Sequence, residues 1–543
     1  MSEIVEMFSA CASSNVKRVG TRPAVLPFPQ AEAHQDIAGG DVAFDKVVGK
    51  GHSPISPLPL IKKLCDTLNA QQISYCHWKS NWKLRRWLGG DGDLDLLVDR
   101  RDARRFVGLI QCLGFKQAEP SNDRLLPGIL NFYGFDSDAG RFVHLHVHYQ
   151  LVIGHDLTKN YHLPIEQLYL ENVTRAGMIP VPTPEFELIV FVLRMVLKHS
   201  SLESILRRRL SQSTSKINAV ELELEELKAK TDQARVLALL PRVVPGIDPG
   251  FFKTCEQSLR TGFSLRSRSR VRRQLQRRLR TFARRPQVED ALLKAYRGVA
   301  RTISQSVLHH RARKRFVGGG LLIAVVGGDG AGKTTALIAL NDWLSKKFVT
   351  KRFHVGKPPR SALTLICRVM LRVRRLLVKS PVNSRRAAEN EGTLAFPGYV
   401  QLVRWACAAR DRCRLYTRAR RLATHGGIAL CDRYPLPQLR LMEGANISRL
   451  VEPRRRNALV RRLLNAEADY YAKIMAPDLL IVLRVDPEIA VRRKTSESEY
   501  HVRGRAQELW EKDWEGSGAY VVNAEQSAED VVAQLQSIIW AKL

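Results

Sequence analysis

Paired cysteines, long apolar runs and, over one stretch, acidic residues are what this 543-residue chain lacks. Its nine cysteines are scattered from Cys11 to Cys431 without one C-x-x-C pair. That excludes a paired-cysteine zinc site or a disulfide framework, and it implies free thiols in a reducing compartment. The longest apolar stretches, FELIVFVLRMVL and LLIAVV, fall short of the roughly 20 residues that cross a bilayer, so no transmembrane segment is expected. The first residues, MSEIVEMFSACASSNVKR, start acidic and have no secretory apolar core of about 7–15 residues. Together these absences point to the cytoplasm.

Acid is missing most sharply between Arg260 and Arg285, where eleven arginines stand without an aspartate or glutamate. Over the whole chain 87 Lys plus Arg face 53 Asp plus Glu, a net charge of +34. Such an excess selects anionic partners, whether nucleotides, nucleic acid or an acidic membrane surface, without choosing among them. Aromatic residues for base stacking are almost absent from the arginine run. Leu265, Val271, Leu275, Leu279 and Phe282 give it a narrow apolar stripe. A solvated, basic helical connector is the plain expectation, and weak contact with a polyanion or acidic membrane is the alternative.

What remains is globular in composition, 45% hydrophobic and 26% charged, and its length suits about three or four domain-sized pieces. Residues 1–52 mix Pro, Gly, Ala and Ser without a sustained period and read as a disordered leader. Residues 53–200 alternate helical and strand patterns, an α/β or α+β unit. Residues 201–315 form the basic helical connector. Residues 316–543 repeat apolar strand, loop and helix, the pattern of a parallel sheet covered by helices on both faces. No internal repeat is apparent.

The chemistry concentrates in GGDGAGKTT, which follows LLIAVV and precedes ALIALNDWL. Gly327, Gly328, Asp329, Gly330, Ala331, Gly332, Lys333, Thr334 and Thr335 fill a Walker A pattern, here expected to hold ATP. The glycines let backbone N–H groups turn inward around phosphates, Lys333 reaches the β and γ oxygens, and the Thr334 hydroxyl suits Mg2+. A second apolar strand, IALCDRYPL, ends in Asp432 at the sheet edge where ligands of open α/β sheets bind. Asp432 suits the metal shell or the attacking oxygen, and Arg433 suits the transferring phosphoryl group. Lys333, Asp432 and Arg433 are therefore the candidate catalytic residues.

With ACAARDRCRLYTRARRLATHGGIALCDRYPL and PDLLIVLRVDPEIAVRRK added, the C-terminal two-fifths of the chain resembles the thymidylate kinases. The resemblance implies a P-loop kinase fold, ATP and Mg2+ as cofactors, and small nucleotides as substrates. It assigns Asp329 to the acceptor's sugar, Arg412 to its base, Arg433 to acceptor and phosphoryl group, and Asp432 to the metal. It places lid arginines among Arg492, Arg493, Arg503 and Arg505, with Arg492 and Arg493 preferred, and it leaves a homodimer open. Two departures stand out. FHVGKPPRS replaces the family's R-E-P-G-G segment, with Lys357 or Arg360 as substitutes, and a basic segment LICRVMLRVRRLLVKSPVNSRR follows it.

Upstream, CHWKSNWKLRRWLGGDGDLDLLVD resembles the start of a minimal nucleotidyltransferase. Asp93 and Asp95 lie one residue apart, so both point to one face of a strand and can share a divalent metal. The next core strand carries His144, His146 and His148 on one face, either metal ligands or a plain polar face. Three functions stay open on the sequence. They are a thymidylate-type kinase, a kinase of the same fold acting on a sugar or other acceptor, and a basic polyanion-binding module with a P-loop switch.

Overall fold

The computed structural model describes residues 56–120, 125–126, 128–199, 215–303, 313–377, 396–439, 444–451 and 457–543. The leader expected over 1–52 lies outside the described residues. The first sheet uses β1 (Tyr75–His77), β2 (Asp93–Val98), β3 (Lys116–Glu119), β4 (Ile129–Asp136) and β5 (Arg141–His148). Two hairpins follow, β6 (Leu151–Ile153) with β7 (Tyr161–Leu163), and β8 (Val173–Ala176) with β9 (Ile179–Pro182). The spatial order is β1-β2-β5-β4-β3, and β10 (Arg315–Phe316), which follows the helical middle, closes the edge beside β3. Only β2 and β5 run parallel there, with Asp93 opposite His144 and Asp95 opposite His146. Period two sends Leu94, Leu96 and Val98 into a core with Phe106 and Ile110, and it sends the two aspartates to the other face.

The helix Pro184–His199 is apolar almost all round, and such a helix must be surrounded. Helices Ser215–Ala229, Gln233–Val243, Pro249–Ser258 and Leu265–Arg278 pack against it. The arginine run therefore does not stay solvated: Val271, Leu275 and Leu279 are buried in the same core as Phe191 and Leu193. Several of its arginines are exposed and reach carbonyls or acids, as Arg278 donates to Gly246 O at 2.9 Å and pairs with Asp248.

The second sheet is wholly parallel: β11 (Leu322–Gly327), β12 (Thr350–His354), β13 (Ile428–Asp432), β14 (Leu479–Arg484) and β15 (Tyr520–Asn523). Its order is β12-β13-β11-β14-β15. Ile323 and Val325 face helices Lys333–Ser345 and Ala528–Lys542 on one side. Leu322, Ala324 and Val326 face Leu415, Tyr416 and Ala419 of helix Tyr399–Thr424 on the other. From β11 the chain crosses toward β12, and from β13 it crosses back toward β14. The C-terminal ends of these adjacent strands frame the crevice where such sheets bind ligands.

Aromatic rings join the two halves. Phe142 of β5 stacks on Trp343 at 5.0 Å, and Tyr133 of β4 meets Phe348 edge-on at 5.0 Å. The Trp540 indole N–H donates to Gly114 O at 3.0 Å. Among the described residues no helix is long and apolar enough to cross a membrane.

Candidate functional site

The phosphate loop leaves β11 at Gly327 and enters helix Lys333–Ser345, whose N-terminus points its free N–H groups back at the loop. Gly330 and Gly332 take φ of +88° and +75°, which a side chain resists. A Cβ on Gly330 would also lie 2.6 Å from Ala490 O. Lys333 is buried and its ammonium donates to Gly327 O at 2.8 Å and Gly328 O at 2.6 Å. Burial, reinforced by Arg433 and Arg505 and opposed by Asp329 and Asp432, pulls its pKa down to about 8. The Thr334 and Thr335 side chains are exposed.

Asp329 is buried and held by two cations from distant elements. Arg433, just past β13, donates to Oδ1 at 3.0 Å, and Arg505, on helix Glu499–Glu511, donates to Oδ2. Burial works to raise the Asp329 pKa, but Arg505, Lys333 and Arg433 together hold it below the usual carboxylate range. Arg433 takes φ +52°, a left-handed backbone that costs a non-glycine residue about 1–2 kcal/mol. Backbone strain of this kind clusters at functional sites. Asp432 ends β13 directly beside β11, opposite Val325. Its Oδ1 is buried without a hydrogen-bond partner, and His354 Nδ1 stands 3.8 Å from Oδ2.

A second polar cluster is built on helix Tyr399–Thr424. Arg412, on helix Tyr399–Thr424, donates to Tyr471 OH at 2.7 Å and to Gly356 O at 3.4 Å. Its neighbour Asp411 accepts from Ser361 N at 3.1 Å and Thr364 Oγ1 at 2.7 Å, and Arg410 donates to Ser361 Oγ at 2.7 Å. The FHVGKPPRS segment is thus pinned to the AARDR helix, with Lys357 and Arg360 exposed.

Lys333, Asp329, Arg433 and Asp432 converge on one crevice. Arg492 and Arg493 do not join them: Arg492 is exposed, and Arg493 donates to Ala524 O at 2.7 Å and Glu525 O at 3.3 Å. Arg503 pairs with Glu488 and Glu499. Of these four arginines, Arg505 is the one that reaches the loop, donating to Asp329. Helical spacing held the hint, because Arg505 borders the buried positions Val502, Ala506 and Leu509 while Arg503, two residues away, faces elsewhere. The Tyr471 contact had no sequence signal.

In the first sheet Asp93 and Asp95 share a face and one partner, His146, but differ in the rest. Lys79 sits 2.7 Å from Asp95 Oδ1, with His146 at 3.3 Å and His148 at 3.5 Å. Asp93 Oδ1 lies 2.5 Å from His144 Nδ1. Lys314, entering from beside β10, donates to Tyr133 OH at 2.6 Å and stands 3.0 Å from His144 Nε2. The ligand atoms of Asp93, His144 and His146 lie within 4.8 Å of one another. So the group able to hold a metal is one carboxylate with two imidazoles, while Asp95 is engaged by an ammonium. Burial lowers the pKa of His144 to about 3 and of His148 and His77 to about 4. Burial works to raise the Asp93 pKa, but His144 and His146 bring it down to about 2.

The sequence matches no protein-family model and no curated protein. Solved structures with distant likeness include thymidylate kinase from Candida albicans, 17% identical over 41% of this chain and 92% of that one, at a TM-score of 0.27. Deoxyadenosine kinase from M. mycoides with bound dATP is 15% identical over 40% of this chain and 99% of that one, at 0.24. Likeness at these scores carries no weight beside the residues themselves.

Proposed function

We propose that the parallel sheet carries an ATP- and Mg2+-dependent phosphotransferase acting on a nucleoside monophosphate, with thymidylate the first candidate. One observation carries this reading. The aspartate inside the phosphate loop is gripped by Arg433 and Arg505 from two other elements, beside Lys333 and Asp432. Three cations against two carboxylates leave net positive charge where phosphates would meet, and the loop keeps an acidic side chain for a hydroxyl.

The residues fit the implied groups. Glycines at left-handed φ open the loop N–H groups to phosphate, and the buried orphan oxygen of Asp432 with the exposed Thr334 hydroxyl offers Mg2+ hard oxygen ligands. Bound Mg2+ would neutralise charge on the β and γ oxygens. Lys333 would turn from the Gly327 and Gly328 carbonyls to those oxygens. An acceptor phosphate oxygen forms the new bond to the γ phosphorus while the bond to the β–γ bridging oxygen breaks, and ADP leaves. Arg433 stabilises the charge in flight, and Arg412 with Tyr471 forms the acceptor wall.

For the first sheet, a binding role toward nucleotide or sugar suits the residues better than nucleotidyl transfer, because Lys79 already neutralises Asp95. The test is ADP release by the full chain with ATP and Mg2+ across thymidine monophosphate, other nucleoside monophosphates and phosphorylated sugars. Stimulation by thymidine monophosphate is expected. Stimulation by a sugar alone would overturn the acceptor, and no stimulation by any member would overturn the kinase.

A further inference from the structure

The helix Ala362–Leu377 lies in the basic segment that departs from the kinase pattern. Thr364 and Cys367 are buried on the side that packs against helix Tyr399–Thr424, and Asp411 ties the first turn. The other side is apolar and open to solvent. Leu363, Leu365, Ile366, Val369, Met370 and Val373 are all 46% to 61% exposed. Leu363, Ile366, Met370 and Val373 recur at three- and four-residue spacing, so they form one line along the helix, which Leu365 and Val369 widen. One exposed leucine is ordinary, whereas a contiguous row of six large side chains marks a surface that something covers.

The charge around the row says what covers it. Arg368 and Arg372 are exposed along its edge, and no acidic residue occurs from Ala362 to Leu377. A second copy would set the same arginines against these, on a chain already at +34. A nucleic acid would meet the arginines and leave the row wet. An anionic bilayer satisfies both, its acyl boundary taking the apolar row and its phosphates the guanidiniums. We propose that Ala362–Leu377 docks this half of the protein onto an anionic lipid surface, lying in the plane of the interface. The arginine run cannot do this, because its own stripe of Val271, Leu275 and Leu279 is buried. The exposed row Val288, Leu292, Tyr296 and Val299 has Glu289 exposed beside it, which anionic lipid repels. Because Asp411 adjoins Arg412, the docked helix lies next to the wall assigned to the acceptor.

The experiment is sedimentation of the full-length protein with vesicles of phosphatidylglycerol and phosphatidylcholine, against phosphatidylcholine alone. Binding is expected to the anionic vesicles, and at least about tenfold weaker binding to the neutral ones. Ile366→Glu with Met370→Glu, and separately Arg368→Glu with Arg372→Glu, should each reduce anionic-vesicle binding at least about tenfold with unchanged thermal melts. Arg266→Glu with Arg270→Glu, on the arginine run, should retain most of it. The opposite pattern, loss with the run and retention with the apolar variant, would overturn the proposal. So would absence of vesicle binding alongside a dimer that Ile366→Glu with Met370→Glu converts to monomer in ultracentrifugation, which would assign the row to a second copy.

Discussion

Two carboxylate clusters, one at each sheet, are held by different kinds of partner. Asp329 is neutralised by Arg433 and Arg505, whose guanidiniums stay charged at any working pH. Asp93 and Asp95 are held by Lys79, His144, His146 and His148. Burial lowers the pKa of Lys79 and brings His144 and His148 to about 3 and 4, so these two imidazoles are uncharged at neutral pH. Permanent charge suits a site that must meet polyphosphate without waiting for a proton. A titratable clamp suits a site whose charge changes with its occupant or with pH. The proposed phosphoryl transfer is therefore assigned to the arginine-clamped cluster.

The strongest way to break that contrast is to remove the mobile charge. Lys333→Ala should lower ADP release at least about 10²-fold, the scale of losing a preorganised charge at a developing anion. Wild-type turnover by the folded variant would take catalysis away from this loop.

Next in size is the response to acid. His144, His148 and His77 titrate at about 3, 4 and 4 in the folded chain, against about 6.5 unfolded. Between those values the unfolded chain binds more protons, so stability is intact above pH 6.5 and falls as pH drops toward 4. A loss on the order of 2 kcal/mol for each of these histidines by pH 5 is expected, read as accelerated hydrogen exchange in β2 and β5. Asp93, depressed to about 2, adds a further loss as pH falls from its unfolded value through that point. His144→Gln should flatten the curve. An unchanged curve would mean the imidazoles are not the titrating groups.

Smaller effects separate roles within the arginine-clamped cluster. Arg433→Ala should lower kcat about tenfold or more, because its charge matters most in the transition state. Asp329→Ala should raise the acceptor KM about tenfold with ATP affinity nearly unchanged. Equal damage to ATP binding would make Asp329 part of the phosphate cradle. Smallest of all, Asp93→Asn should alter ADP release by less than about twofold, the scale of a substitution away from the reacting groups. A large drop would show that the two clusters work as one site.

What was legible in the sequence was local. The strand, loop and helix around Gly327–Thr335, and the strand ending in Asp432, follow from apolar runs, glycines and a lysine within a few residues of each other. Period two placed Asp93 with Asp95, and His144 with His146 and His148, before any coordinates. Only the tertiary structure decided what these groups face. Arg505 reaches Asp329 across 176 residues of chain, and Lys314 reaches His144 across 170. Two arginine-rich helices of similar pattern took opposite fates. Leu265–Arg278 met the apolar helix Pro184–His199 and buried its stripe, while Ala362–Leu377 met a partner on its Thr364 side and left its apolar row in solvent. The physical reason is the same in each case. Periodicity specifies that a face exists, because side-chain direction is set by the backbone of neighbouring residues. What the face meets is set by packing between elements distant in sequence, and no local pattern encodes that.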